Sequence, residues 1–391
     1  MVSHPSDQRL VGRHRKGDPL IRQIEKRVVR ILALVCLLTV GQAMKCLAAS
    51  EGIQVPSTDQ AISYVGHWGT IERAGQTSMA TVNSSSQIYL TFSGQHASGL
   101  FELDGIDYLE QIYVRVDNGA WSLFTIDRSR IEFFPTGLPA GRHRLEIAVK
   151  AVESRGNRWL SPLSSAIIFK GFELDSQAKV EPSSPPKRPL LQFFGDSITQ
   201  GEKVLQRDSG SVKSSDALAT YGWLAGEALG TTHAQITFGG QGVISSDSRE
   251  VPPAVFSFAW NFSGSAVDFS LMPDFIVINQ GSNDQPDSSS EFIEAYMGLL
   301  REIRKHCAHT RIFALRPFHG DRNHGDDVAE AVTKMADPAI VYIDTTGWLD
   351  ESDYTDGVHP NVVGSKKAAT RLEEVLQPYI SRWKSERISG E

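Results

Sequence analysis

Short runs of alternating apolar and polar side chains fill the chain between residues 51 and 178. Ser86-Gln87-Ile88-Tyr89-Leu90-Thr91-Phe92 alternates as a half-buried strand does. Gln111-Ile112-Tyr113-Val114-Arg115-Val116 repeats the pattern and runs into Asp117-Asn118-Gly119. That triplet marks a hairpin, because Asn-Gly tolerates the positive φ that a tight turn requires. Arg144-Leu145-Glu146-Ile147-Ala148-Val149 alternates again after the turn at Pro139-Ala140-Gly141, and Ala166-Ile167-Ile168-Phe169 is a further run. No long helical period interrupts them. Several short strands divided by turns predict a β-sandwich.

The pattern changes at Leu190. Apolar strand-like runs over 190–194, 234–238, 274–279, 311–315 and 340–343 alternate with helical spacing over 220–229, 291–306, 326–336 and 361–381. The last helix places Val363, Ala368, Leu372, Val375, Leu376 and Tyr379 along one side. Alternating strand and helix predict a mostly parallel sheet with helices on both faces. The ten residues Val180–Pro189 hold four prolines, a semi-rigid spacer. The expected organisation is therefore a sandwich over 51–178, a linker over 179–188 and an α/β domain over 189–391. No internal repeat is present.

Composition changes the picture at the amino end. Residues 1–49 carry nine Lys or Arg against three acids, a net of +6, which leaves the rest at −13 within a whole-chain charge of −7. Ile31–Gly41 is an 11-residue apolar run flanked by Arg27 and Arg30, with Ala48-Ala49-Ser50 beyond it. It is shorter than an ordinary membrane span. The pattern is that of a secretory signal peptide, with an uncleaved anchor helix as the rival. The expectation is a secreted or periplasmic protein, monomeric, with no stable membrane insertion after cleavage. An acidic mature chain is a poor partner for nucleic acid. Cys36 and Cys46 fall within the leader, so Cys307 alone remains and no internal disulfide is expected.

Four short segments carry the candidate chemistry. The first apolar run of the α/β part ends in Gly195-Asp196-Ser197. Open α/β sheets place their sites at the carboxyl ends of strands, and Gly195 permits a sharp turn there. Downstream lie Phe238-Gly239-Gly240-Gln241-Gly242, then Asn279-Gln280-Gly281-Ser282-Asn283-Asp284, then Asp356-Gly357-Val358-His359-Pro360. Each alone reads as an ordinary turn or helix cap. In this order the set resembles the SGNH hydrolases, also called the GDSL esterases. The resemblance covers residue 189 to the carboxyl end and implies a three-layer, flavodoxin-like α/β domain. It assigns the nucleophile to Ser197, a Ser–His–Asp triad to Ser197, His359 and Asp356, and an oxyanion hole to the Ser197 and Gly242 amides and the Asn283 side chain. Gly240 rivals Gly242 in the loosest of the four blocks.

The assigned residues suit acyl transfer. Serine is a weak nucleophile that needs a base, and His359 supplies one. Asp356, three residues earlier, can orient the imidazole and stabilise its charged form. Asn283 follows an apolar strand and can aim an amide at developing negative charge.

A sandwich ahead of such a domain is similar to carbohydrate esterase family two, where a jelly-roll module precedes the hydrolase. That family removes acetyl groups from plant polysaccharides, and some members lack the triad acid. The resemblance implies a secreted carbohydrate O-acetyl esterase working through a serine acyl-enzyme on an acetylated carbohydrate. A general esterase or lipase and a glycan-binding protein with a vestigial hydrolase domain are the alternatives. Trp260 is a candidate for stacking on substrate, with Tyr221 and Trp348 behind it, although aromatics of this kind more often belong to a core. His319-Gly320-Asp321-Arg322-Asn323-His324-Gly325-Asp326-Asp327 has the ingredients of a metal site but reads better as a polar loop. No cofactor is implied.

Overall fold

The computed structural model describes residues 52–207, 211–247, 250–285, 288–318 and 324–388. The expected leader, residues 1–49, lies outside the described residues. From Gly52 onward the chain forms one compact unit.

Its first half is two antiparallel sheets. One runs in the order Gly69–Arg73, Gln76–Thr81, Ile167–Leu174, Ala97–Glu102, Arg130–Glu132, with Ile53–Pro56 paired to Ile167–Leu174. The other runs Lys179–Glu181, Gln87–Gly94, Gly141–Ala151, Gln111–Val116, Ser122–Thr125, with Ser63–Val65 paired to Gln87–Gly94. Alternate side chains of both sheets meet in a core that includes Leu90, Phe92, Phe101, Leu145, Phe169 and Phe172. This is the expected sandwich, with two differences. Lys179–Glu181, expected in the linker, pairs with Thr91–Ser93, so the sandwich continues past residue 178. Gln87–Gly94, expected half-buried, is buried on both faces. Its polar face is covered by the α/β part: the Gln87 amide donates to the His233 carbonyl, and Tyr89 packs with Ala234.

The second half is a five-stranded parallel sheet. Its strands are β1 (Leu190–Gly195), β2 (Thr232–Thr237), β3 (Phe275–Asn279), β4 (Arg311–Leu315) and β5 (Ile340–Ile343). They are ordered β2-β1-β3-β4-β5, the flavodoxin-like order with β1 at the switch point. The helices are α1 (Ser197–Gln200), α2 (Tyr221–Ala228), α3 (Ala254–Ser257), α4 (Ser289–His306), α5 (Gly325–Met335) and α6 (Val362–Ile388). Phe193 and Val277 face α2 and α6 through Tyr221, Leu372 and Leu376, whereas Phe194 and Ile278 face α4 through Phe292 and Tyr296. Strands buried on both faces need continuous apolar runs, which is what β1 and β3 carry.

Register decides where the loops emerge. Gly195 pairs with Thr237 on one side and with Asn279 on the other. The three carboxyl ends are therefore level. Residues 196–197, 238–242 and 280–284 leave the sheet from the same rim.

Candidate active site

Gly195 closes β1 where no side chain fits. A Cβ there would lie 2.1 Å from Thr199 Oγ1 and 2.9 Å from the Asn279 carbonyl oxygen. The chain can thus turn at once into α1, whose cap is Asp196: its Oδ1 accepts the Ile198 N–H at 2.9 Å. Ser197 is the first residue of α1 and is 8 % exposed. Its own backbone N–H has no partner among the described residues.

His359 reaches Ser197 from the loop before α6. A bridge between Tyr354 and Pro360 closes that loop, and the Thr355 N–H donates to the His359 carbonyl at 2.8 Å. Nε2 of His359 lies 2.9 Å from Ser197 Oγ. Nδ1 lies 3.1 Å from Asp356 Oδ1 and 3.0 Å from Oδ2. With the Nδ1 proton donated to the carboxylate, Nε2 can accept the serine proton. The backbone N–H of His359 also donates to Asp356 Oδ1, at 2.9 Å. Burial pushes the Asp356 carboxyl upward. The Lys203 ammonium, the His359 amide and the His359 ring outweigh that and hold it well below the usual carboxylate range. The carboxylate therefore stays charged beside the ring, as an orienting group must.

One of the expected oxyanion donors, the Gly242 amide, is already bonded. The Gly242 N–H donates to the Ser245 carbonyl at 2.8 Å, and the Gly242 carbonyl accepts from Ala254 at 3.0 Å. An amide already donating at that distance is a poorer oxyanion donor than a free one. Gly240 is the better placed glycine: its N–H has no partner among the described residues, and its φ of 76° is one that glycine adopts without strain. Gly240 is also held on both sides. The Gly239 N–H donates to Gln200 Oε1 at 3.1 Å, just behind the nucleophile, and the Gln241 carbonyl accepts from Asn283 Nδ2 at 2.9 Å. The second Asn283 amide proton goes to Asp196 Oδ2 at 3.2 Å. An oxyanion drawing on Asn283 would have to share or take over that longer bond. Asp284 does not cap α4, which begins five residues later with Ser288 as its cap. It accepts the Val243 and Ile244 N–H groups, each at 2.8 Å, and so fixes the turn after Gly240.

The aromatic candidates separate from this cluster. Trp260 opens a two-stranded hairpin, Trp260–Phe262 with Ser265–Ala266, and is 38 % exposed. It shares no ring contact or hydrogen bond with Ser197, His359 or Asn283 among the described residues. Its backbone lies instead beside His67, which bonds Gln192 in the middle of β1. Tyr221 is a buried core residue whose hydroxyl pairs with Thr199 Oγ1 at 2.8 Å. Trp348 is half-buried and packs on Phe318 at the edge of the core. Residues 319–323 of the polar loop lie outside the described residues. His324 spends both ring nitrogens, on Asp327 Oδ2 at 2.6 Å and on the Gln285 carbonyl at 2.9 Å. The described residues contain no group of three or more metal-ligating side chains.

Sequence reasoning missed three residues around the site. Lys203 Nζ lies 2.8 Å from Asp356 Oδ2. Gln200 carries Gly239. Arg158, which comes from the sandwich and is 1 % exposed, donates from Nη1 to Gln200 Oε1 at 3.0 Å. None of the three falls in a recognisable motif, and all their partners are distant in sequence.

Residues 193–367 match the family described as GDSL-like Lipase/Acylhydrolase. The chain carries a GDSL-type (SGNH) hydrolase domain. It is a serine esterase of that type. No curated sequence relative matches the chain. Among solved structures, a family two carbohydrate esterase from Cellvibrio japonicus is 19% identical with a TM-score of 0.69, covering 84% of this chain and 98% of its own. A family two carbohydrate esterase from Clostridium thermocellum, solved with cellohexaose, is 21% identical with a TM-score of 0.68, covering 82% of this chain and 99% of its own. An acetyl xylan esterase from the rumen bacterium Butyrivibrio proteoclasticus is 17% identical with a TM-score of 0.68, covering 84% and 99%. The coverage spans sandwich and GDSL domain together, so the two-part fold is shared with these enzymes.

Proposed function

We propose that this GDSL esterase removes acetyl groups from an acetylated carbohydrate through a serine acyl-enzyme. The observation that carries the reading is the 2.9 Å contact between His359 Nε2 and Ser197 Oγ, with Asp356 on the other face of the ring. A positioned base beside a serine hydroxyl is what nucleophilic acyl transfer needs.

In the first step Ser197 Oγ attacks the ester carbonyl carbon while His359 Nε2 takes its proton. The carbonyl oxygen becomes an oxyanion that faces the Ser197 and Gly240 amides and the Asn283 side chain. Collapse breaks the bond to the sugar oxygen, which leaves with the proton from His359. In the second step water attacks the acetyl-serine, His359 again takes and returns the proton, and acetate departs. Asp356 holds the ring throughout and stays ionised.

The choice of acetylated carbohydrate rests on the fold shared with family two carbohydrate esterases. The leader over residues 1–49 supports export to where such glycans occur. The test is acetate release from acetylated xylan, glucomannan, pectin and peptidoglycan, with 4-nitrophenyl palmitate as control. Release from at least one glycan and little turnover of palmitate is expected. Fast palmitate hydrolysis with no acetate from any glycan would overturn the reading in favour of a lipase.

A further inference from the structure

Lys203 sits six residues after Ser197, on the turn that follows α1. That turn is bonded to the nucleophile itself: the Gly201 and Glu202 N–H groups donate to the Ser197 carbonyl at 3.1 and 3.0 Å. Lys203 has a φ of 54°, a left-handed conformation that few lysines take. A non-glycine residue held there marks a place where the surrounding structure imposes a constraint, and such constraints cluster at functional sites. The effect of the constraint here is to send the side chain across to Asp356, where Nζ meets Oδ2 at 2.8 Å.

Asp356 uses both oxygens. Oδ1 takes the backbone N–H groups of Val358 and His359, at 3.2 and 2.9 Å, and shares the ring proton. Oδ2 has the other share of the ring proton and Lys203. Without the lysine, Oδ2 would keep only its share of one divided hydrogen bond, and the carboxylate could rotate off the plane that presents it to Nδ1. The side chains are 27 % and 13 % exposed, so this pair is less screened than a surface ion pair.

We propose that Lys203 is a positioning residue of this active site, a strut that fixes the Asp356 carboxylate against His359 and ties the turn bearing Ser197 to the loop bearing His359. The proposal rests on the assignment of Ser197, His359 and Asp356 given above. The lysine touches no reacting atom and acts through Asp356. It should therefore change turnover far more than substrate binding, and its effect should vanish once Asp356 no longer carries its charge.

The test is a double-mutant cycle on the full chain with 4-nitrophenyl acetate, reading kcat and KM separately. Lys203→Met keeps the aliphatic stem and removes the charge. We expect kcat to fall roughly tenfold, as small misplacements of catalytic groups do, with KM changed less than about twofold. Lys203→Arg should recover most of the loss. Lys203→Met in an Asp356→Asn background should cost nothing further. Should Lys203→Met not fold, Lys203→Gln takes its place in the cycle. Wild-type kcat in the neutral variant, or losses that multiply in the double variant, overturn the proposal. If Asp356→Asn is strongly impaired while Lys203→Met is not, the lysine alone is wrong. If Asp356→Asn turns over at the wild-type rate, the assignment of Asp356 fails and the strut fails with it.

Discussion

The backbone N–H of Gly242 lies 2.8 Å from the carbonyl oxygen of Ser245 and donates to it. That bond commits the Gly242 amide, whereas the Gly240 N–H has no partner among the described residues, which favours Gly240 as the oxyanion donor. The two glycines then have different reasons to be glycine. A Cβ on Gly242 would sit 2.6 Å from Asp284 Oδ1 and 2.7 Å from the Ser245 carbonyl, a packing conflict. A Cβ on Gly240 would meet the left-handed penalty at φ 76°, about 1–2 kcal/mol, and would relax by moving the free amide of Gly240. Gly242→Ala is therefore expected to lower the thermal midpoint most. Gly240→Ala is expected to lower kcat most, per folded molecule. The reverse ranking of kcat would return the oxyanion role to Gly242.

Asn283 donates to Gln241 and to Asp196, at 2.9 and 3.2 Å. Removing a single oxyanion donor typically costs 10²–10³ in kcat, about 3–4 kcal/mol. Asn283→Ala should fall in that range with KM little changed. Asp196→Asn is the subtler probe. Whichever way its amide is turned, an N–H faces either Asn283 Nδ2 or the Ile198 N–H, both donors. A tenfold or greater loss in kcat is expected, with Ser197 still present. An unimpaired Asp196→Asn enzyme would show that the carboxylate does not hold Asn283 in place.

Asp196 also predicts a pH dependence of stability. Burial raises its carboxyl from 3.8 to about 7; the Ile198 N–H opposes this, and the charges of Glu202 and Asp284 add to it. Burial therefore outweighs the donors on it, and the carboxylate that accepts from Asn283 forms only as pH approaches about 7. A raised pKa contributes stability that is full below 3.8 and is lost as pH rises through about 7. Relative to Asp196→Asn, the wild-type protein should lose on the order of 2 kcal/mol between pH 5 and pH 8. Urea midpoints at the two pH values, taken for both proteins, measure it. A parallel pair of pH profiles would show that Asp196 ionises normally in the fold.

Much of this could be read from the chain, and the failures share a cause. The strands β1 to β5 lie within two residues of their expected limits; most are short apolar runs bounded by Pro, Gly or polar residues, whereas β2 is mixed, Thr-His-Ala-Gln-Ile-Thr. Ser197, Asn283, Asp356 and His359 stand out in the sequence because each sits in a local phrase at the end of an element. What separates Gly240 from Gly242 is a hydrogen bond to Ser245, and no local pattern records it. Lys203 meets Asp356 across 153 residues. The polar face of Gln87–Gly94 looks solvent-facing in sequence because alternation reports two faces and not what covers them. Trp260 is a site candidate by residue type alone, and the backbone of its hairpin lies beside His67.

The last prediction concerns the two halves. A proline-rich spacer suggests separable modules, yet the halves share one interior. Ala80, Val82, Trp159, Leu163 and Ile168 of the sandwich belong to the same buried cluster as Phe194, Ile236 and Phe238. Polar contacts follow the same seam. Asn83 Oδ1 takes the Thr237 N–H at 2.8 Å, Tyr113 donates to Asp216 at 2.7 Å, and Lys150 donates to the Ser215 carbonyl at 2.6 Å. Arg158 lies deepest. It rests 5.3 Å from the centre of the Phe238 ring and bonds the Gln200 oxygen that also takes the Gly239 N–H. Removing the sandwich would expose that apolar cluster to water and leave Gln200 without its guanidinium partner. A chain beginning near Lys187 is therefore expected to aggregate or to lose 4-nitrophenyl acetate hydrolysis along with glycan activity. Arg158→Met in the full chain isolates the polar part. It keeps apolar bulk beside Phe238 and deletes the bond to Gln200, so kcat on the small ester should fall about tenfold while the fold persists by circular dichroism. A truncated chain that stays soluble and hydrolyses 4-nitrophenyl acetate at the wild-type rate would show that the GDSL domain builds its oxyanion loop without the sandwich.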